Sequence, residues 1–129
     1  RYYNAAGVWA KTDGGRVTVG VSDFFQQHNG DVAFAEVNEV GTAVITNEEF
    51  ANIETIKLDI DLPRPLSGTI VAVNEALEMA AELINHDPYG AGWLAEFEAN
   101  DWAGAIETLL TPEQYFEHMK AEAQAEGGE

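Results

Sequence analysis

Cysteine is absent from this chain. That excludes a disulfide frame, a thiolate nucleophile and a cysteine-ligated metal, so any sulfur redox chemistry must be brought in by an attached group. Positive charge is nearly as scarce, with six Lys and Arg against 23 Asp and Glu and a formal net charge of −17. Such a chain repels phosphate backbones and anionic lipid headgroups, which argues against nucleic acid and membrane surfaces. It favours docking onto proteins with basic faces, through an attraction that weakens as salt rises. No apolar run approaches the length that spans a bilayer, and no charged-then-apolar leader is visible. The chain starts at Arg1 without a methionine, so a removed leader such as an organelle transit peptide is compatible with it. Serine is also rare: only Ser22 and Ser67 could act as nucleophiles, and they read as a helix cap and a turn residue. His28, His86 and His118 are scattered without metal-ligand spacing, and no twelve-residue calcium loop appears.

What is present supports one domain. The 129 residues are 46% hydrophobic with three tryptophans, enough apolar surface to offset the entropy of ordering the chain. Val8-Trp9-Ala10-Lys11 and Arg16 to Val19 flank Asp13-Gly14-Gly15 and read as an opening hairpin. Ser22 can cap a short helix from Asp23 to His28, with Gly30 just past its end. Asp31 to Val37 alternates as a strand. Phe50 to Ile56 is rich in β-formers, and Leu58, Ile60 and Leu62 alternate with Asp59 and Asp61. The simplest geometry is a hairpin with Lys57 at or near its bend, which would hold the lysine firmly while its ammonium stays in water. Lys57 is one of three lysines, with Lys11 and Lys120.

The chain also repeats itself. Gly41-Thr42-Ala43-Val44, then Asn47-Glu48-Glu49-Phe50, matches Gly68-Thr69-Ile70-Val71, then Asn74-Glu75-Ala76-Leu77, at one constant offset. Glu75 to Leu83 has helix-forming composition. His86 to Gly90 is a turn, and Gly92 to Glu98 reads as a last strand. Asn100 or Asp101 opens a helix to Leu110. Thr111-Pro112-Glu113-Gln114 carries the signals of a capping box with proline in the first turn. The tail from Glu122 reads as frayed. Trp9, Phe34, Trp93 and Trp102 read as core or domain-edge packing.

Glu54-Thr55-Ile56-Lys57, Asp61, Pro65, Ser67-Gly68, Val71, Val73-Asn74-Glu75-Ala76-Leu77-Glu78, Leu83-Ile84-Asn85, Asp87-Pro88-Tyr89-Gly90 and Gly92-Trp93 resemble the glycine cleavage system H protein and its lipoate-carrying relatives. Val19 to Phe24 and Gly30-Asp31-Val32 fit the same pattern, so the resemblance covers nearly the whole chain. It implies a mainly β (α+β) fold, a lipoyl/biotinyl-type barrel-sandwich hybrid. Two small antiparallel sheets with pseudo-two-fold symmetry would be accompanied by a short helix in the N-terminal half and by C-terminal helices. The single domain would span 1–129, with the acceptor hairpin at about 50–62 and the C-terminal helices at about 100–125. In that family the run from Glu75 to Leu83 would be a turn with a short helical piece.

The resemblance further implies lipoic acid in amide linkage on Lys57. A lysine is most often only a solvated surface residue, but its place on a matched motif in a hairpin reverses that expectation. Glu54 and Asp61 stand at family positions. They would guide the attaching enzyme, and Asp61 would lie near the resting place of a loaded arm; the plainer reading is a pair of solvated carboxylates. A non-catalytic shuttle is implied, passing an aminomethyl group and reducing equivalents. Its partners would be glycine decarboxylase, a tetrahydrofolate-dependent aminomethyltransferase, dihydrolipoamide dehydrogenase and a lipoate-attaching enzyme. The carrier would be a monomer, located in the cytoplasm or, with a leader removed, the mitochondrial matrix.

Four departures bear on the cargo. Gly7 and Val8 stand where the family has a His-Glu pair, Ala51-Asn52 replaces Gly-Val, Leu58 replaces a common alanine, and Ala81 replaces a proline. A cationic aminomethyl group needs a carboxylate to be sheltered from water. Two alternatives therefore stand beside the first reading. One is the lipoate-binding protein of bacterial sulfur oxidation, serving a heterodisulfide-reductase-like complex; the other is an unlipoylated acidic binding module.

Overall fold

Gly14 and Gly15 both take positive φ, 59° and 88°, which is what a two-residue hairpin turn of matching twist requires. They join β2 (Val8–Asp13) to β3 (Arg16–Val21), paired in register from Val8↔Val21 to Asp13↔Arg16. A two-residue strand, β1 (Tyr2–Tyr3), runs along β2. The computed structural model describes residues 1–44, 48–56 and 58–127, with the backbone alone at Asp13, Val44 and 122–127. Ser22 caps α1 (Asp23–Asn29) by accepting from the Phe25 N–H at 3.1 Å, and Gly30 ends it with φ 84°. Four strands follow the helix: β4 (Val32–Val37), β5 (Ala43–Val44), β6 (Glu49–Thr55) and β7 (Asp59–Pro63). Then come β8 (Gly68–Val73), a 3-10 turn at Glu75–Glu78, α2 (Leu83–His86) and β9 (Ala95–Ala99). Two helices close the chain, α3 (Trp102–Thr108) and α4 (Pro112–Gly127).

The strands form two antiparallel sheets of unequal size. Six run in the order β1-β2-β3-β9-β8-β5 and three in the order β4-β6-β7. Between them lies the main core, in which Val8, Val19, Phe50, Ile53, Leu62, Ile70, Ile84, Leu94 and Phe97 have no exposed surface. The two glycine-started segments run against each other: Ala43 pairs with Thr69 and Val44 with Gly68, and the Ile70 N–H donates to the Thr42 carbonyl at 3.0 Å. Their apolar anchors, Phe50 and Leu77, are both buried. They sit in different structures, Phe50 in β6 and Leu77 in the 3-10 turn, so the similarity of the repeats fades past the paired strands. Asn47 of the repeat lies outside the described residues.

Several boundaries differ from the sequence reading. The last strand begins at Ala95 because Gly92 N–H is already committed to the Asp87 carbonyl at 2.8 Å, within the preceding turn. Helix α3 is capped by Asp101, which accepts from Gly104 N–H at 3.1 Å, but it stops at Thr108. Leu110 instead exchanges backbone hydrogen bonds with Tyr3, at 2.7 and 2.9 Å. The capping box of α4 is reciprocal: Thr111 N–H donates to Gln114 Oε1 at 2.9 Å and Gln114 N–H to Thr111 Oγ1 at 3.2 Å. Helix α4 then runs through Gly127, where fraying was expected from Glu122.

Trp9 is buried, and Trp93 and Trp102 pack as partly buried residues against the two cores. Phe34 contradicts its expected role in packing, since 68% of it is exposed. The reason is a bulge between Val32 and Phe34, which breaks the alternation that would have turned both side chains to the core. Among the described residues no helix is long and apolar enough to cross a membrane.

Candidate functional site: the β6-β7 hairpin

The central strand of the smaller sheet and its edge neighbour make the expected hairpin. Glu54 pairs with Asp59, Ile53 with Ile60, Asn52 with Asp61 and Ala51 with Leu62. Ala51, Ile53 and Leu62 are buried while Asn52 is half-buried and Glu54, Asp59 and Asp61 are exposed, so the period of two sends one row into the core and the other into water. Thr55 closes the bend. Its N–H donates to the Leu58 carbonyl at 2.8 Å, and the Leu58 N–H returns to Thr55 Oγ1 at 3.0 Å. Lys57 itself lies outside the described residues; its neighbours Ile56 and Leu58 are 86% and 48% exposed. Nothing in the alternation of the strands singles out Thr55. Its signal is its place three residues before Leu58, where a hydroxyl can meet a turn N–H.

Glu54 and Asp61 share the outer face of the sheet but are not neighbours. Glu54 lies between Phe34 and Asp59 in register, while Asp61 lies opposite Asn52. The Asn52 side-chain amide donates to Asp61 at 2.8 Å and also to Asp59. One amide thus tethers two carboxylates that would otherwise only repel.

Behind the hairpin is a cavity of about 220 Å³. Leu58 and Ile60 wall it on one side, Phe24, Phe25 and His28 of α1 on another, and Met119 of α4 on a third. None of its lining residues is acidic, and Asp61 is not among them. Such a space fits an uncharged chain better than an ionic one. The sequence reading set His28 aside as scattered and did not single out Met119. Tyr115 and Met119, four residues apart on α4 and both buried, are the helical spacing that marks this wall.

A family model described as Glycine cleavage H-protein matches residues 1–122. The chain belongs to the glycine cleavage H-protein family. It is 41% identical over 115 residues to the glycine cleavage system H protein of Bacillus cytotoxicus, covering 89% of this chain and 90% of that one. It is 44% identical over 118 residues to the probable glycine cleavage system H protein of Aeropyrum pernix, covering 92% and 82%. The crystal structure of a glycine cleavage system H protein from Mycobacterium marinum superposes with a TM-score of 0.84 at 34% identity, over 93% of this chain and 96% of that one. The β6-β7 hairpin of this chain carries carboxylates on its outer face, and the cavity behind it is lined by no acidic residue.

Proposed function

We propose that this chain is a lipoate-carrying shuttle in glycine cleavage, with the lipoyl group in amide linkage on Lys57 Nζ. One observation carries the reading. A family-matched lysine follows Ile56 at the end of a hairpin whose strands are rooted in the core and whose bend is closed at Thr55 and Leu58. A hairpin whose strands are already fixed loses little entropy when a partner engages it. The lipoyl group supplies the strained dithiolane that takes up an aminomethyl group and reducing equivalents from partner active sites.

The residues of the chain do three things for that group. Thr55 and Leu58 fix the bend, Ile60 and Leu62 root β7 in the core, and the cavity behind the hairpin, lined by no carboxylate, fits an uncharged arm at rest. The chain is then a component that presents and guards the group, and catalysis belongs to its partners: glycine decarboxylase, aminomethyltransferase and dihydrolipoamide dehydrogenase. Glu54 is assigned to recognition by the lipoate-attaching enzyme. Operation in the cytoplasm accords with these partners.

The test is intact mass after co-expression with a lipoate-attaching enzyme, followed by glycine-bicarbonate exchange with a glycine decarboxylase. A lipoyl adduct lost in Lys57→Arg, together with exchange, is the expected result. Lasting absence of the adduct would leave only an unmodified acidic binding module. A second reading, sulfur as the cargo, rests on the cavity: an ammonium placed there finds no carboxylate among its lining residues. A lipoylated sample that supports no exchange, yet accepts sulfur from a persulfide donor, decides for that reading.

A further inference from the structure

Phe34 is the one aromatic ring that β4 turns away from the core, and it takes a bulge to do so. Val32 and Phe34 have the same parity, and Val32 is buried against the core. The register passes from Val32↔Thr55 to Phe34↔Glu54 across the bulge, so the ring emerges on the outer face beside the hairpin that leads to Lys57. Bulges recur where a side chain must be re-aimed near a working site. Around the ring stand Glu54, directly across, and Glu36, Asp59 and Asp61 on the same face. No described position of β4, β6 or β7 holds a lysine or arginine.

We propose that this outer face is a docking surface for a partner enzyme, with Phe34 inserting into an apolar cup rimmed by lysine and arginine side chains beside the active site that receives the Lys57 arm. The inference rests on the carrier reading above. Charge chooses the occupant: with a formal net charge of −17, the chain repels a second copy of itself, a nucleic acid and an anionic bilayer alike. A basic protein surface is what remains, and an aromatic anchor in a pocket ringed by charge pairs is the usual form of a tight contact. Because β6 is the middle strand of this sheet, docking on its face would fix where the hairpin tip points.

The experiment uses the lipoylated full chain with the glycine decarboxylase of Bacillus cereus, whose own H protein is 41% identical to this chain. Phe34→Ala is compared with Met79→Ala, which removes a side chain that is 92% exposed and lies outside the sheet. Circular dichroism and the thermal midpoint check that each variant folds. Phe34→Ala is expected to raise KM for the carrier about tenfold with little change in kcat, whereas Met79→Ala changes neither. Glu36→Gln with Asp59→Asn should flatten the salt dependence of KM. Wild-type exchange with an unaltered KM in Phe34→Ala overturns the docking surface and leaves the carrier reading standing. Absence of wild-type exchange overturns both for the glycine cleavage partner.

Discussion

The Ser22 hydroxyl and the Tyr115 hydroxyl lie 2.6 Å apart with Ser22 fully buried. This contact ties the cap of α1 to the flank of α4 across 93 positions of sequence. Helices α1 and α4 form two walls of the cavity behind the hairpin, so the bond sets how far apart those walls stand. The same Ser22 oxygen accepts from the Phe25 N–H at 3.1 Å.

Ser22→Ala removes both interactions. A lost N-cap costs about 1 kcal/mol and a buried hydroxyl contact about another, so chemical denaturation should show a loss of about 2 kcal/mol. Tyr115→Phe keeps the cap and should lose about half as much. Equal losses in the two variants would show that the cap contributes nothing.

Gly20 is fixed by Trp9 rather than by its own backbone. A Cβ at Gly20 would lie 2.7 Å from the indole Cε2 and Cζ2, and the ring cannot retreat freely because its Nε1–H donates to the Pro88 carbonyl at 3.1 Å. Gly20→Ala should therefore cost about 2 kcal/mol by overpacking. Adding Trp9→Phe should recover part of the loss contributed by Gly20→Ala, measured as a double-mutant cycle of unfolding free energies. Strict additivity would place the cost elsewhere.

Much of this was legible in the residues. Asp13-Gly14-Gly15, the Ser22 cap, the Thr111-to-Gln114 box and the alternation through Leu62 each state a local rule, and the structure obeys each. What escaped depends on contacts between distant segments. A bulge is invisible in Val32-Ala33-Phe34, since the pattern there is that of an ordinary strand. The end of α3 is set by Tyr3 pairing with Leu110, and the start of β9 by Asp87 capturing Gly92. At the site, the motif pointed to Lys57, Glu54 and Asp61, but the separation of an acidic outer face from an acid-free cavity arises only when α1 and α4 close behind the hairpin.

Tyr3 gives the fold an alkaline limit. Burial, reinforced by a hydrogen bond with Tyr89, holds its phenol well above the usual tyrosine range, and its ring stacks on Tyr115 at 4.3 Å. In the unfolded chain the phenol ionises near its ordinary value of about 10. Above that pH the unfolded state releases a proton that the folded state keeps, so stability present below about pH 10 declines as pH rises. Tyr3→Phe should flatten this decline in denaturation curves taken across the alkaline range, apart from what the other tyrosines and the lysines contribute. An unchanged slope would mean that Tyr3 is not the group responsible.

The bend before Lys57 offers a direct link between one hydrogen bond and modification. Thr55 Oγ1 accepts from Leu58 N–H at 3.0 Å, and Thr55 is itself buried, so Thr55→Val keeps the shape and deletes the acceptor. The lost bond costs about 1 kcal/mol, which opens the bend about fivefold more often. Hydrogen exchange at the Leu58 amide should quicken by that factor, while kcat/KM for attachment of lipoate to Lys57 should hold nearly constant, because the closed bend still dominates. Thr55→Ser restores the hydroxyl and should restore the slow exchange. If attachment quickens by the same factor as exchange, the attaching enzyme captures Lys57 from an open bend, and the closed turn serves the carrier only after the lipoyl group is in place.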